Sequence, residues 1–409
     1  MTASSDATGV SYRTLLTDSA LLVVFLSSGV AALGLNAAPV ALPDIGSEFA
    51  LTESEIGLVM SMFFFTQMLA VPLVGVGADI YGRRTILIPS LVLFGVSGIA
   101  TLWATTYPVL LGLRAVQGAA FAGVLPLSAT LAGDLYTGAE GSAAQGIRSG
   151  INGLASAVAP IVAGVLVIIA WQLPFVMFAL ALPVALLVYW YYPEPLDCDG
   201  PDLQRGVVVA ELRAYVRTIL AAANGRLALF IAGGFTLFFL KASFTTFLPV
   251  FVVSELESPA TVAGTVLGVY GGIRVIVSPI SGSVLLRLGR KNTMLAGIVL
   301  AIVGTAVLPF SPNVWMLVVA TVFYALGEAV LNPVVNDAVA AFADEEQRAG
   351  IMSGLQFFKS GALTLAPLLM GVLIGLVSFK GAFAFAAIAA MAYAVTLAVR
   401  LGPEPNPTE

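Results

Sequence analysis

Stretches of about 20 predominantly apolar residues recur along the whole chain, and each is long enough to cross the ~30 Å core of a bilayer as a helix. Only 10% of the residues are charged and 59% are hydrophobic, whereas a soluble domain has roughly 25% charged residues. The sequence therefore predicts an all-α polytopic membrane protein with twelve transmembrane helices. The predicted spans are 18–42, 54–77, 85–104, 107–131, 144–168, 172–192, 227–252, 260–285, 293–310, 314–341, 350–377 and 381–401.

A short phrase occurs twice in the chain, at residues 75–84 and 282–291. Its glycines and basic pairs recur at an offset of 207 residues. The same offset relates Pro126 to Pro333, Pro160 to Pro367 and Gly164 to Gly371. A constant offset over most of a half-chain indicates two copies of one unit. In a membrane chain, two such halves predict a transporter whose site lies between them.

The repeat and a break in composition divide the chain into five predicted parts. They are a tail at 1–17, a six-helix bundle at 18–192, a linker at 193–226, a second six-helix bundle at 227–401 and a tail at 402–409. Within the linker, residues 203–220 read as an amphipathic helix that lies at the membrane surface and ties the halves together. The alternative, a linker that only joins two bundles, stays open.

The loops on the two sides of the predicted bundle differ in charge. One side and its tail are basic: Arg13, Arg83, Arg84, Arg205, Arg213, Arg217, Arg226, Arg287, Arg290, Lys291, Arg348 and Arg400. The other side is acidic: Asp44, Glu48, Glu53, Glu55, Glu255 and Glu257, with only Lys380 as a basic residue. Because positive loops stay in the cytoplasm, we expect both termini in the cytoplasm and the chain in the plasma membrane.

Five ionisable residues fall at bilayer depth, one on each of five spans: Arg114, Lys241, Arg274, Glu328 and Lys359. A charge at that depth costs at least ~2.5 kcal/mol on insertion scales, so each should face a cavity or a partner. Spans three, six, nine and twelve have no ionisable residue in their central stretches. The sequence thus predicts that every third helix faces lipid.

Several motifs resemble those of the major facilitator superfamily, and the resemblance covers essentially the whole chain. Gly75-x-x-x-Asp79-x-x-Gly82-Arg83-Arg84 is similar to the signature loop between its second and third helices. Arg114-Ala-Val-Gln117-Gly118 is similar to its fourth-helix motif. Pro39 to Ile45 and Ala159-Pro160 to Gly164 are similar to motifs of the 12-helix drug:proton antiporter branch, with alanines replacing two glycines of the second. The resemblance implies two pseudo-symmetric six-helix bundles that work by alternating access.

The resemblance also implies that the duplicated loop is a cytoplasmic gate, which holds the outward-facing state. Its glycines allow a tight turn and close approach of helices, and Asp134 is a candidate partner for Arg83. The alternative is that the charges only set the topology. Two departures stand out, because Ile80 replaces a basic residue and Leu286 replaces the acid of the second copy. The predicted gate comprises Gly75, Asp79, Gly82, Arg83, Arg84, Asp134, Gly282, Gly289, Arg290 and Lys291.

Glu328 is the only carboxylate near the middle of any predicted span. Burial disfavours its charged form and a nearby cation favours it, so binding events can change its protonation. It is therefore the leading candidate for a proton carrier, and a permanent salt bridge to Arg274 or Lys359 is the alternative. Arg114 lies on one helix face with Gln117. The resemblance implies that Arg114 acts in coupling or substrate contact, and a structural hydrogen bond to a neighbouring backbone is the alternative.

The repeat supports a polar cavity, because it matches Gln67 with Arg274 and Asn152 with Lys359. The predicted cavity residues are Asn36, Gln67, Arg114, Gln117, Asn152, Lys241, Arg274, Gln356 and Lys359. Four cations at depth against one anion favour an anionic or zwitterionic substrate. Alternatively, the lysine stems snorkel and their heads bond locally.

These observations predict proton-coupled efflux of small amphiphilic compounds by a multidrug-type transporter. The alternative is a proton-coupled permease for an organic anion or metabolite. The chain has no histidine, and its single cysteine, Cys198, lies in the linker, so a membrane-embedded enzyme has almost no support. A primary pump would need a phosphate-binding Gly-x-x-x-x-Gly-Lys-Ser/Thr loop, and none is present. We expect no cofactor, no metal and no nucleic acid, with a small-molecule substrate, protons and the lipid bilayer as partners of a monomer.

Overall fold

A computed structural model of the protein describes residues 12–192, 225–341 and 345–400. Throughout these ranges, every regular element is a helix. The predicted amphipathic helix at 203–220 lies outside the described residues. We refer to residues 12–192 as the N-terminal half and to residues 225–400 as the C-terminal half.

The N-terminal half contains ten α-helices and the C-terminal half, in its described part, contains six. The first ten are α1 Tyr12–Thr17, α2 Ser19–Ala37, α3 Leu42–Glu48, α4 Glu53–Tyr81, α5 Arg83–Ala100, α6 Tyr107–Ala122, α7 Leu125–Leu135, α8 Gly138–Leu166, α9 Leu173–Val176 and α10 Ala181–Tyr191. The others are α11 Gly225–Ser254, α12 Ala260–Val277, α13 Ser281–Val307, α14 Val314–Ala340, α15 Glu345–Leu376 and α16 Phe379–Arg400. Short 3-10 turns join α2 to α3, α9 to α10 and α12 to α13.

Among the described residues, eleven helical segments are long and apolar enough to cross a membrane. The longest, Ala260–Phe310, has 51 residues and contains Gly289 at φ 73°. This left-handed residue ends one crossing and begins the next, because a continuous helix cannot contain it. Gly82, its repeat mate, has φ 92° and separates α4 from α5. The eleven segments thus make twelve crossings, and the predicted all-helical fold is confirmed.

Polar caps fix where several crossings begin. Thr52 and Glu55 form a capping box at the start of α4, with Glu55 Oε2 accepting from the Thr52 backbone at 2.8 Å. Asp18 accepts from two backbone N–H groups of α2, and Asn313 caps α14. Such caps satisfy donors that have no partner within the helix. Each of these three polar residues, Thr52, Asp18 and Asn313, lies directly before a long apolar helix and so fixes the residue at which the helix begins.

The helices of predicted spans three, six, nine and twelve present large apolar side chains outward. Leu93 on α5, Trp190 on α10, Val299 on α13 and Ile388 on α16 are all exposed. A bilayer can cover such surface, whereas water could not. Other helices expose large apolar side chains as well, such as Leu73 on α4 and Val165 on α8, so the prediction that every third helix faces lipid stays a prediction.

Two close seams join the halves near one end of the molecule. On the α4–α15 seam, a Cβ on Gly57 would lie 2.1 Å from the Pro367 carbonyl oxygen. On the α8–α12 seam, a Cβ on Gly264 would lie 2.2 Å from the Pro160 carbonyl oxygen. The repeat offset relates the two seams, glycine to glycine and proline to proline. We call this end, which carries Glu48, Glu53 and Glu255, the acidic end, and the opposite one the basic end.

Candidate functional site

A buried ionic cluster lies in the core of the C-terminal half. Its carboxylate, Glu328 on α14, has no exposed surface. Arg274 Nε on α12 contacts Glu328 Oε2, and Lys241 Nζ on α11 lies 3.7 Å from Glu328 Oε1. Three helices are thus tied together by one carboxylate. The alternative predicted from the sequence, a salt bridge from Glu328 to Arg274, is present in this conformation.

Aromatic rings form one side of this cluster. Phe244 stacks on Tyr324 with 4.3 Å between ring centroids, and Tyr270 lies 5.9 Å from Tyr324. The Arg274 guanidinium lies 5.4 Å from the centre of the Tyr270 ring. Within the described part of the chain, the buried Tyr324 hydroxyl has no hydrogen-bond partner. The rings exclude water and so strengthen the interaction between the charges beside them.

Lys359 on α15 is buried beside the cluster, with 3% of its surface exposed. Its Nζ donates to Asn332 Oδ1 at 3.1 Å and to Asn336 Oδ1 at 2.6 Å. Sequence reasoning missed both asparagines. Their spacing from Glu328 is the signal that could have found them, since residues four apart share one helix face.

A cavity of about 520 Å³ lies between the halves, on the basic side of the α8–α12 seam. Of the predicted cavity residues, Asn152 and Arg274 line it. Its wall comprises Gly146, Ser149, Gly150, Asn152, Gly153 and Ser156 from α8, Arg274 to Pro279 in part, and Asn332 and Pro333 from α14. Each half thus contributes one wall. Glu328 does not line the cavity itself, but its ion-pair partner Arg274 does.

The wall from the N-terminal half is a run of hydrogen-bonded polar groups along α8 and α2. Ser28 Oγ donates to Asn152 Oδ1 at 2.8 Å, and Asn36 Nδ2 donates to Ser156 Oγ at 3.2 Å. Of these two predicted residues, Asn152 lines the cavity, and Asn36 does not line it but bonds Ser156, which does. Arg148, which is not among the predicted site residues, donates to Ser28 Oγ at 3.3 Å.

The structure places Arg114, Gln117 and Gln67 away from this cavity. Arg114 is 1% exposed, and its Nε donates to the Val59 carbonyl of α4 at 3.2 Å. Its guanidinium also donates to Gln117 Oε1 at 2.9 Å. The Arg114 side chain is therefore hydrogen-bonded to groups within the N-terminal half. Gln67 is buried on α4. Gln356 is exposed on α15, and neither lines the cavity wall.

At the basic end of the N-terminal half, Arg83 contacts Asp134, the partner that the sequence suggested. Asp79 lies 3.9 Å from Arg83 and is mostly exposed, and Arg84 donates to the Tyr189 carbonyl. A Cβ on Gly75 or Gly282 would meet nothing within 4 Å. In this conformation Gly75 and Gly282 thus make no close helix approach, and the tight turns lie at Gly82 and Gly289.

In the C-terminal half, Arg290 bonds Asp337 Oδ2 at 2.9 Å. Asp337 thus supplies the carboxylate that Leu286 cannot. The repeat mate of Asp134 is Ala341, and Asp337 lies one helical turn before it on α14. Because a residue four positions away lies on the same helix face, the shifted acid can still reach the arginine. Both ion pairs join helices of the same half.

Comparison with known proteins gives consistent results. The family model described as Major Facilitator Superfamily matches residues 24–282 and again residues 229–409. The chain is 23% identical over 417 residues to multidrug transporter protein MdtP of Bacillus subtilis (strain 168), covering 89% of this chain and 76% of that protein. It is 27% identical over 361 residues to the 3-(3-hydroxy-phenyl)propionate transporter of Escherichia coli (strain K12), covering 84% and 86%.

A solved structure of a mutant nucleoside transporter NupG superposes with a TM-score of 0.79. The superposition covers 94% of this chain and 99% of that one, at 15% sequence identity. At that identity the likeness extends to the fold alone.

Proposed function

Because the chain belongs to the Major Facilitator Superfamily, a family of transporters, we propose that it exports small amphiphilic compounds in exchange for protons. The Bacillus subtilis relative is a multidrug transporter, which supports the substrate class. The observation that carries the proposal is the ion pair between buried Glu328 and Arg274, which lines the cavity between the halves. This pair lets one carboxylate respond both to protons and to a bound molecule.

The mechanism is alternating access around this cavity. In this proposal the chain is a monomer in the plasma membrane. Its basic end faces the cytoplasm, because positively charged loops stay on that side. The seams at Gly57 and Gly264 then close the outer end, and the described conformation faces inward. Rocking of one half against the other opens those seams and closes the basic end. The ion pairs at Arg83 and Arg290 stabilise the helix ends that meet during that closure.

Protonation of Glu328 removes its attraction for Arg274 and Lys241. The groups that face this carboxylate are Lys241 from α11, Tyr270 and Arg274 from α12, Tyr324 from α14 and Lys359 from α15. For exchange, the substrate occupies the cavity while Glu328 is charged and holds Arg274 and Lys241 in place, and a proton on Glu328 loosens this arrangement and so expels the substrate. Because a ligand shifts an equilibrium only by its differential affinity for the two states, the proton and the substrate then bind in turn.

The test is substrate-induced proton movement in proteoliposomes that contain a pH-sensitive dye, screened with anionic, neutral and cationic amphiphiles. We expect wild type to move protons with at least one class. Glu328→Gln should lose the proton movement that depends on this carboxylate, since the amide cannot carry the proton. Glu140→Gln, which changes an exposed carboxylate at the start of α8, is the matched control. A transport rate in Glu328→Gln with full pH dependence would exclude the carrier role.

A second candidate is a proton-coupled permease that takes up an organic anion. The excess of cations around Glu328 favours it, and the Escherichia coli relative transports 3-(3-hydroxy-phenyl)propionate. The same vesicles separate the two candidates. Under an imposed proton gradient, an exporter accumulates the compound on the side of higher proton concentration and a permease accumulates it on the opposite side. Accumulation on that opposite side, limited to organic anions, would replace the first candidate.

A further inference from the structure

Lys359 on α15 is a buried titratable group for which the mechanism above has no use. Its side chain is enclosed, with 3% of its surface exposed, and its Nζ donates to the side-chain oxygens of Asn332 and Asn336 on α14. These asparagines follow Glu328 at intervals of four residues, so all three lie on one face of α14. The amine therefore lies beside the ionic cluster and nearer to the basic end than Glu328 does.

The surroundings of Lys359 differ from those of Glu328. Glu328 lies against two cations, Arg274 and Lys241, so its charge is balanced by direct contact. Among the described residues, no carboxylate lies within ion-pair distance of Lys359 Nζ, and both acceptors of its hydrogen bonds are neutral amides. A charge at this depth is energetically costly unless a partner balances it. The fold thus leaves the positive charge of Lys359 without a partner in direct contact.

The contacts of Lys359 suit both of its protonation states. A neutral amine has two N–H groups, and the two asparagine oxygens lie 3.1 and 2.6 Å from Nζ. An ammonium group has a third N–H. The Phe238 ring, whose centre lies 4.8 Å from Nζ, attracts a positive charge to its face. The group can therefore gain or lose a proton without leaving an N–H group unpaired.

The charge on Lys359 is linked to the charges on two neighbours. The ionisable groups that act on it are Lys241 from α11 and Glu328 from α14. Lys241 Nζ lies 5.2 Å from the centre of the same Phe238 ring, so the two amines share one ring. Since charges interact strongly where water is excluded, a change of charge at Glu328 alters the balance at Lys359.

We propose that Lys359 is a second proton-binding site of the transport cycle, which releases its proton into the cavity on the cytoplasmic side. This inference rests on the transport function proposed above and adds a proton site to it. Asn332 links the amine to the cavity, because it accepts a hydrogen bond from Lys359 and lines the cavity wall. On release, one N–H bond of the ammonium group breaks, its electron pair stays on Nζ, and water takes the proton. The amine takes up a proton again in the opposite conformation.

The test uses pH as the only ligand and measures the conformation of the purified full-length protein. Spin labels that replace Glu48 and Glu255, exposed at the acidic end of either half, report by their distance whether that end is open. The single cysteine is removed by Cys198→Ser. One proton that the two conformations bind differently can change their ratio up to about tenfold per pH unit. We expect the ratio of open to closed to change roughly 3- to 10-fold between about pH 5.5 and about pH 8.5 in Glu328→Gln, where residue 328 cannot titrate.

Lys359→Met and Lys359→Arg should each abolish this change in the Glu328→Gln background. Methionine is a neutral side chain of similar length, and arginine stays charged at every pH used, so neither can exchange the proton. Arginine should reproduce the distances measured at low pH, and methionine those measured at high pH. A cation with only a structural role would behave differently, because its removal would shift the distances equally at every pH.

The same lysine variants without Glu328→Gln give a second measurement that does not depend on that background. There they should reduce the pH response and leave the part that belongs to Glu328. Lys380→Met is the matched control, because Lys380 also lies near an aromatic ring, that of Phe310 at 5.7 Å, but is exposed on α16. It should leave the pH response unchanged.

The possible results separate this inference from the proposed function. If Glu328→Gln alone abolishes the whole pH response of wild type, Glu328 is the sole proton site, so the inference fails and the proposed function stands. A response that survives both lysine variants also overturns the inference. If Glu328→Gln responds as fully as wild type and Lys359→Met abolishes the response, Lys359 is the carrier and the role proposed for Glu328 fails. Wild-type distances that do not change with pH would refute both.

Discussion

In the N-terminal half the charged residue at mid-membrane is Arg114, whose guanidinium bonds a backbone carbonyl and an amide oxygen. In the C-terminal half the corresponding depth holds Glu328, with Arg274 and Lys241 against it. Repeat mates confirm that the chemistry has diverged, since Arg114 matches Thr321 and Glu328 matches Phe121. The two halves therefore share a scaffold, while among the described residues only the C-terminal half has a fully buried carboxylate, Glu328.

The seams between the halves, unlike the charged residues, have kept the symmetry of the repeat. Gly57 against Pro367 and Gly264 against Pro160 are repeat mates with almost the same backbone approach. Backbone contacts need only glycine and a helix of the right shape, so duplication preserves them. Side-chain ion pairs need particular residues, and there the halves differ. The backbone seams thus keep the repeat symmetry, while the buried ion pairs do not.

The largest expected effect tests the contrast between Arg274 and Arg114. Arg274→Leu leaves buried Glu328 with Lys241, at 3.7 Å, as its remaining ion-pair partner, and should lower the free energy of unfolding by roughly 3–5 kcal/mol. Arg114→Leu leaves no buried charge behind and should lower it by about 1–2 kcal/mol. Chemical unfolding of both variants in detergent measures the difference. Equal losses would mean that Arg114 also neutralises a buried charge.

The double variant Arg274→Leu with Glu328→Leu sharpens this test. Removing both charges together should recover much of the loss, because an ion pair replaced by apolar residues of similar size is often neutral. Lys241 limits the recovery, since it then loses its carboxylate. A double variant less stable than Arg274→Leu alone would show that Glu328 is not destabilised by losing Arg274.

Much of the fold could be predicted from the sequence, because bilayer thickness fixes the length of each crossing and the repeat fixes the halves. Glu328, Arg274, Lys359 and Asn152 could also be predicted to lie near a cavity, since charges and amides at depth need partners. Asn332 and Asn336 could have been found from their helical spacing to Glu328. Arg148 lies only four residues inside the predicted span 144–168, so the sequence does not show whether it lies at bilayer depth.

Other features could not be predicted because they depend on how helices pack. Arg114 matches a family motif, but its hydrogen bond to the Val59 carbonyl depends on how closely α4 packs against α6. The pairing of Arg290 with Asp337 rather than with a residue at 341 depends on the rotation of α14. The open space around Gly75 and Gly282 likewise follows from how the neighbouring helices diverge at the basic end.

The intermediate effect concerns the seams. Gly57→Ala and Gly264→Ala each place a Cβ about 2 Å from a backbone oxygen, which a rigid carbonyl cannot avoid. Each should destabilise the conformation with a closed acidic end by roughly 1–3 kcal/mol. Spin labels at Glu48 and Glu255, both exposed at that end, would report a longer distance in a Cys198→Ser background.

Gly112→Ala is the control for the seam variants, because a Cβ there meets nothing within 4 Å. It should leave the distance distribution unchanged. Because the two seams are repeat mates, we also expect the two seam variants to lengthen the distance between the spin labels by similar amounts. A shift in only one of them would show that the halves pivot about a single seam.

The smallest effect tests whether the basic ends are equivalent. Leu286 is 80% exposed and lies four residues before Arg290, as Asp79 lies before Arg83. Leu286→Asp alone should raise the free energy of unfolding by at most a few tenths of a kcal/mol, because Asp337 already bonds Arg290 and surface ion pairs contribute little. In an Asp337→Asn background, the same substitution should recover part of the stability, and high salt should remove that recovery. Thermal unfolding at low and high salt measures both. A recovery that persists in high salt would mean that residue 286 contacts more than the arginine, so that the C-terminal basic end is built differently from its repeat mate.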